Sequence, residues 1–203
     1  DPEVAEAVRR TARLLADQGH AVEEATPHFD GVAAMRHMMD LWFFGFDLRL
    51  AGYARRSGHA IGPDTLEPVI QQVLAHARQM QPAQFLGAMA ALNSVRRQLG
   101  AFFTRHDIWL SPTTARVAEP WGNYNLGRTD VSFDEVPQKI MAPVCQYTLP
   151  HNVMGTPSIS LPLVMHSNGL PIGVQFSAAP AREHLLLQLA TVLEQALPWA
   201  GRR

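Results

Sequence analysis

The sequence predicts an α/β protein in which helices cover part of a β-sheet, and three observations carry that expectation. Apolar residues recur at helical spacing through most of residues 1–105, while Ser158–Leu163 and Pro171–Ser177 alternate around an Asn168-Gly169 turn. With 47% hydrophobic and 17% charged residues, the 203-residue chain can bury a core and is not disordered.

The elements follow in order. Asp1 is placed to cap a first helix with Pro2 at its first position, and Val4, Val8, Ala12 and Leu15 form one stripe that ends near Gly19. The short stretch His20-Ala-Val-Glu-Glu then reads as a strand. From Gly31 to about Arg56 a single, mostly buried helix is expected. In it the aromatic cluster Trp42, Phe43, Phe44 and Phe46 reads as core, with a hydrophobic ligand wall as the alternative. Arg36, His37, Asp40, Asp47 and Arg49 make this segment too polar to span a membrane.

A loop over Gly58–Pro63 leads to Asp64, the expected cap of a helix carrying Leu66, Ile70, Val73, Ala77 and Met80. Pro82 opens a longer helix down to about Arg105. Asp107–Ser111 reads as a buried strand stopped by Pro112. Between Pro112 and Pro150 five prolines make the chain irregular, which marks a functional or lid-like segment more often than an accidental one. The hairpin follows, and Leu185, Leu186, Leu189, Leu193 and Ala196 predict a closing helix. Without a repeat, a low-complexity tract or a linker, residues 1–203 read as one unit.

A net charge of −1 and no basic run longer than two residues argue against nucleic-acid and membrane-surface partners. The single Cys145 excludes an internal disulfide and fits a cytoplasmic location. The chain opens Asp-Pro-Glu, its first methionine is Met35, and it begins with no charged and apolar run before a cleavage site, so it is expected to be a piece of a longer protein.

Chemistry is sparse. There is no Gly-x-Ser-x-Gly and no Ser-x-x-Lys, and Ser158 and Ser160 share one strand face, where hydroxyls read as structural. Cys145 lies six residues before His151, a conceivable nucleophile and base, although a buried inert thiol is the simpler reading. Nine histidines include no His-x-x-x-His pair, so neither a metal nor any other cofactor is expected. Of 17 basic residues only Lys139 is a lysine.

Several segments together resemble the amidase signature family of amide hydrolases: Asp107-Ile-Trp-Leu-Ser-Pro-Thr-Thr, Tyr147-Thr-Leu-Pro-His-Asn-Val-Met-Gly-Thr-Pro-Ser-Ile-Ser-Leu-Pro-Leu, Gly169-Leu-Pro-Ile-Gly-Val-Gln-Phe, Glu183-His-Leu-Leu-Leu-Gln-Leu-Ala and Leu197-Pro-Trp-Ala-Gly-Arg. The opening Asp1–Val8 and Gly19–Glu24 fit the same pattern. The resemblance implies the C-terminal half of that fold, part of a mixed β-sheet flanked by helices. It also implies hydrolysis of linear or cyclic carboxylic amides through a Ser, cis-Ser, Lys arrangement.

None of those three groups has a position here. No Ser-Ser pair exists, and Lys139 stands in an unrelated context. The resemblance therefore implies no catalytic residue in residues 1–203, an upstream active site and an inert isolated chain. It places Cys145, Thr148, His151 and Asn152 as lining of a pocket for a small-molecule amide, with polar support of an irregular loop as the alternative. A lobe of a shared sheet also exposes strand edges, so association through them, as in a homodimer, is expected. A tRNA-dependent amidotransferase subunit and a non-enzymatic assembly module are the competing functions.

Overall fold

The computed structural model describes residues 1–201. Eight α-helices and three strands occur among them: α1 (Pro2–Asp17), α2 (Gly31–Phe43), α3 (Phe46–Ser57), α4 (Pro68–Gln79), α5 (Pro82–Phe102), β1 (Ile108–Pro112), α6 (Ala142–Cys145), α7 (Leu149–Met154), β2 (Ser158–Met165), β3 (Pro171–Ala178) and α8 (Glu183–Ala196). No described helix is long and apolar enough to cross a membrane.

The described chain divides into two compact units, where the sequence, lacking a linker, read as one. Each unit is assembled from separate segments. The first takes Asp1–Phe29, Val95–Glu119 and Pro143 onward; the second takes Asp30–Ser94 and Pro120–Ala142. A boundary that falls inside α5 and inside an irregular stretch leaves no mark in composition.

The first unit holds the sheet. Its order is β1-β3-β2, with β3 central and both pairings antiparallel. Thus the α/β class and the covering helices stand, and every strand pairing among the described residues is antiparallel. The predicted turn closes the hairpin, with Gly169 at φ +84° and its N–H donating to the His166 carbonyl at 2.9 Å.

Alternation along β3 divides the sheet into two chemically different faces. Ile172, Val174, Phe176 and Ala178 join Leu161 and Leu163 of β2 on the apolar face. Val4, Ala7 and Leu15 of α1 and Leu186, Leu189 and Leu193 of α8 cover it. The Asp1 carboxylate accepts from the Glu3 N–H at 2.8 Å, the expected cap of α1.

Gly173, Gln175 and Ser177 face the other way, in register with Ser111 and Trp109 on β1 and with Ser158 and Ser160 on β2. A Cβ on Gly173 would lie 2.8 Å from Thr113 Oγ1 and 2.9 Å from Ser160 Oγ, two hydroxyls bonded to each other at 2.5 Å. Both belong to short side chains with little room to yield. Gly173→Ala is accordingly expected to destabilise the first unit by about 1–3 kcal/mol, with Ser160→Ala recovering part of the loss in urea titrations.

Three expected elements differ. His20–Glu24 is not a strand; its five residues are exposed, so nothing drives them onto a sheet edge. The helix expected over Gly31–Arg56 is broken at Phe44-Gly45, where Gly45 takes φ +68°. Its second half, α3, has no buried residue. Among its aromatics Trp42 is exposed and the others half-buried, with the Phe44 ring stacked on Phe85 at 4.7 Å. Finally, α4 starts at Pro68 rather than after Asp64. The Thr65 hydroxyl accepts from the Gly62 N–H and donates to the Ala60 carbonyl, both at 2.9 Å, which holds those residues in a turn.

The irregular stretch contains more helical turn than its prolines suggested, because Pro137 and Pro150 sit in first turns, where a missing N–H costs nothing. It supplies the core of the second unit, in which Val131, Val136 and Ile140 pack with Met39 and Val69. Backbone bonds fix it there: Val69 N–H donates to the Leu126 carbonyl at 3.0 Å, and Gln72 Nε2 to the Val131 carbonyl at 2.8 Å.

Candidate functional site

The polar face of the sheet holds His151, one of the predicted site residues. Helix α7 lays His151 against β3, 7% exposed, with Nδ1 3.0 Å from Thr156 Oγ1 and Nε2 3.0 Å from Ser177 Oγ. Ser177 Oγ in turn lies 2.8 Å from Ser158 Oγ, and the Trp109 ring packs against the imidazole at 5.3 Å. Burial penalises the cationic form and brings the imidazole pKa down to about 4, so His151 is neutral near pH 7. Both ring nitrogens are occupied, and the imidazole works as a two-ended hydrogen-bonding clamp.

Gln175 performs the same task nearby. Its buried amide donates to Ser111 Oγ at 3.2 Å and to the Tyr147 carbonyl at 2.9 Å, fastening the segment before α7 to the sheet.

Cys145, Thr148 and Asn152 form a short ladder along that segment. Thr148 Oγ1 donates to the Cys145 carbonyl at 3.2 Å, and Asn152 Nδ2 to the Thr148 carbonyl at 3.3 Å. Asn152 is exposed, whereas Cys145 and Thr148 are half-buried. Burial raises the Cys145 pKa, which keeps it a thiol, and the imidazole nitrogens of His151 are engaged with Thr156 and Ser177. The conceivable Cys145–His151 nucleophile pair is therefore not formed. Ser158 and Ser160 bond to Ser177 and Thr113, the structural role expected of hydroxyls on that face.

Sequence reasoning missed a cavity of about 250 Å³ in the second unit. Its walls include Arg36, His37 and Asp40 from α2, His76 from α4, and Phe133 and Asp134 from the irregular stretch. His76 Nε2 lies 3.2 Å from Asp40 Oδ1, and its ring stacks on Phe133 with centroids 4.0 Å apart. Asp40 and His76 are 36 residues apart, a separation no local motif reports. The one available signal is the step of four from Arg36 to Asp40, which puts both on one helix face.

Against known proteins, the Amidase family model matches residues 1–187. Two curated relatives are each 34% identical to the chain: the 6-aminohexanoate-cyclic-dimer hydrolase of Paenarthrobacter ureafaciens, over all of the chain, and the putative amidase AmiC of Mycobacterium tuberculosis, over 98% of it. The chain spans only about two-fifths of these relatives, 42% and 41% of their respective lengths. The solved structure of 6-aminohexanoate cyclic dimer hydrolase superposes with a TM-score of 0.86 at 30% identity, covering all of this chain and 43% of that one. By the extent of the family match and by the shared fold, residues 1–203 belong to the Amidase family.

Proposed function

We propose that the chain is the C-terminal portion of an amidase that hydrolyses linear or cyclic carboxylic amides of small molecules. The observation that carries this reading is the family match over residues 1–187. In the reaction a serine oxygen adds to the amide carbonyl, the C–N bond breaks as the nitrogen takes up a proton, and water releases the acyl group as a carboxylate.

Residues 1–203 hold no group suited to start that sequence. Lys139 is half-exposed, and its ammonium is already engaged in an ion pair with Glu135 at 2.6 Å. A Ser, cis-Ser, Lys triad is therefore assigned to the remainder of the protein. This chain contributes the clamped sheet face and, on it, the ladder of Cys145, Thr148 and Asn152 as one wall of the substrate pocket, with His151 fixing its position. The proposed location is the cytoplasm. The outer edges of β1 and β2, unpaired among the described residues, are proposed to pair with further strands or with a second copy.

Full-length protein is expected to release amine from members of a panel of short linear and cyclic amides that includes the 6-aminohexanoate cyclic dimer. Replacing the triad lysine or nucleophilic serine by alanine should cost at least about 10³-fold in kcat, and residues 1–203 alone should show no turnover. Hydrolysis by residues 1–203 alone, or none by the full-length protein, would overturn the proposal. Glutaminase activity that needs tRNA and a second subunit would replace it with the amidotransferase reading.

A further inference from the structure

The cavity of the second unit holds opposite charges that the protein does not pair with each other. Arg36 and Asp40 are four residues apart on α2, the spacing at which an ion pair normally forms on a helix. Asp40 instead engages His76 through Oδ1 at 3.2 Å, and no ion pair forms between Arg36 and any acid among the described residues. A matching situation arises at Asp134, which also lines the cavity. Near Asp134 in the sequence, Arg128 is taken by Asp130 at 2.7 Å and Lys139 by Glu135 at 2.6 Å, and among the described residues no cation pairs with Asp134 itself. A guanidinium and a carboxylate thus share a cavity of about 250 Å³ with neither neutralised by the fold. The lining also includes apolar Phe133, Met39 and Pro137, and Phe133 stacks on His76.

We propose that this cavity binds a small ammonium carboxylate with an apolar body, of the ω-amino acid class. Its carboxylate meets Arg36, and its ammonium meets Asp134. Arginine is the residue suited to a carboxylate because its planar fork matches both oxygens. A methylene chain lies against the Phe133 wall, where its burial adds about 0.8 kcal/mol per CH₂. The volume lies just below the ~300–1,000 Å³ usual for drug-sized ligands, which suits an unbranched chain of a few carbons. The inference goes beyond the amidase reading and does not need turnover.

The probe is 6-aminohexanoate, titrated calorimetrically into the full-length protein beside its two half-ligands, hexanoate and hexylamine. The zwitterion is expected to bind at least about tenfold more tightly than either half. Arg36→Gln and Asp134→Asn should each weaken it by about tenfold, the effect of losing one charge-assisted contact. Arg36→Lys should recover part of that loss, and Arg55→Gln on α3 should leave binding unchanged. Arg36 and Asp134 are exposed, so thermal midpoints of the variants should match the parent's. Equal affinity for zwitterion and half-ligands, no binding, or binding that survives both charge substitutions overturns the proposal. Survival would place the ligand elsewhere, while the amidase reading stands or falls separately on amine release.

Discussion

Phe176→Ala is expected to lower the stability of the first unit by about 3–5 kcal/mol, seen as a drop in urea midpoint with the slope unchanged. Phe176 is fully buried in the central strand, in register with Leu110 of β1 on one side and Ile159 of β2 on the other. Removing its ring takes contacts from both neighbouring strands at once, beneath helices α1 and α8. No adjacent surface can collapse into the hole, because Val174 and Ala178 on either side are themselves fully buried. Leu48→Ala supplies the contrast. Leu48 is 72% exposed on α3, and its truncation should cost no more than about 0.5 kcal/mol. A Phe176→Ala protein within 1 kcal/mol of its parent would show, given the approximate range above, that the apolar face is not the cohesive centre described here.

The second large effect is a pH dependence traced to His151. Burial brings its pKa in the folded protein down to about 4, from the 6.5 of an ordinary imidazole. The folded state therefore binds fewer protons than the unfolded state between those values, and stability rises with pH across that window. The contribution is fully present above about pH 6.5. It is lost as the pH falls toward 4, to a total of about 3 kcal/mol, most of it below pH 6. His151→Gln removes the titration, so the difference in unfolding free energy between parent and variant should stay level down to about pH 6.5 and narrow from there toward pH 4. A constant difference would show that the imidazole does not lose solvation on folding. At pH 7.5 His151→Ala should itself cost roughly 2–4 kcal/mol, because the Thr156 and Ser177 hydroxyls each lose a partner beside a new cavity.

Sequence patterns revealed those features that depend on near neighbours. The Asp1 cap, the Asn168-Gly169 hairpin and the apolar stripe of α8 are all decided within a few residues, and each was legible. Gly45 shows the limit. Its neighbours are apolar enough to continue a helix, and only the backbone conformation reveals the break. His20–Glu24 shows the converse, since strand pairing requires an edge that the segment does not reach.

The candidate site divides in the same way. The segment holding Cys145, Thr148, His151 and Asn152 was found by resemblance, but the role of His151 depends on Ser177, 26 residues further along and on another element. The clamp thus looked like candidate chemistry until its partners were known. The cavity of Arg36, Asp40, His76 and Asp134 joins α2, α4 and the irregular stretch, and no spacing rule connects residues so far apart.

The discontinuous make-up of the two units sets an order of events during synthesis. The second unit lies within the sequence of the first and has all its residues once Ala142 has been made. Helix α1 must wait far longer for the rest of its cover, because it packs on all three strands and only β1, from Ile108, has been made by then, while β2 and β3 begin at Ser158 and Pro171. Throughout that interval the ribosome displays an amphipathic helix whose apolar stripe is incompletely covered, which invites chaperone binding and self-association. Slower translation after Ala142 would prolong that exposure without altering the finished protein, so its yield should depend on elongation rate through Pro143–Ala196 more than through the residues before it.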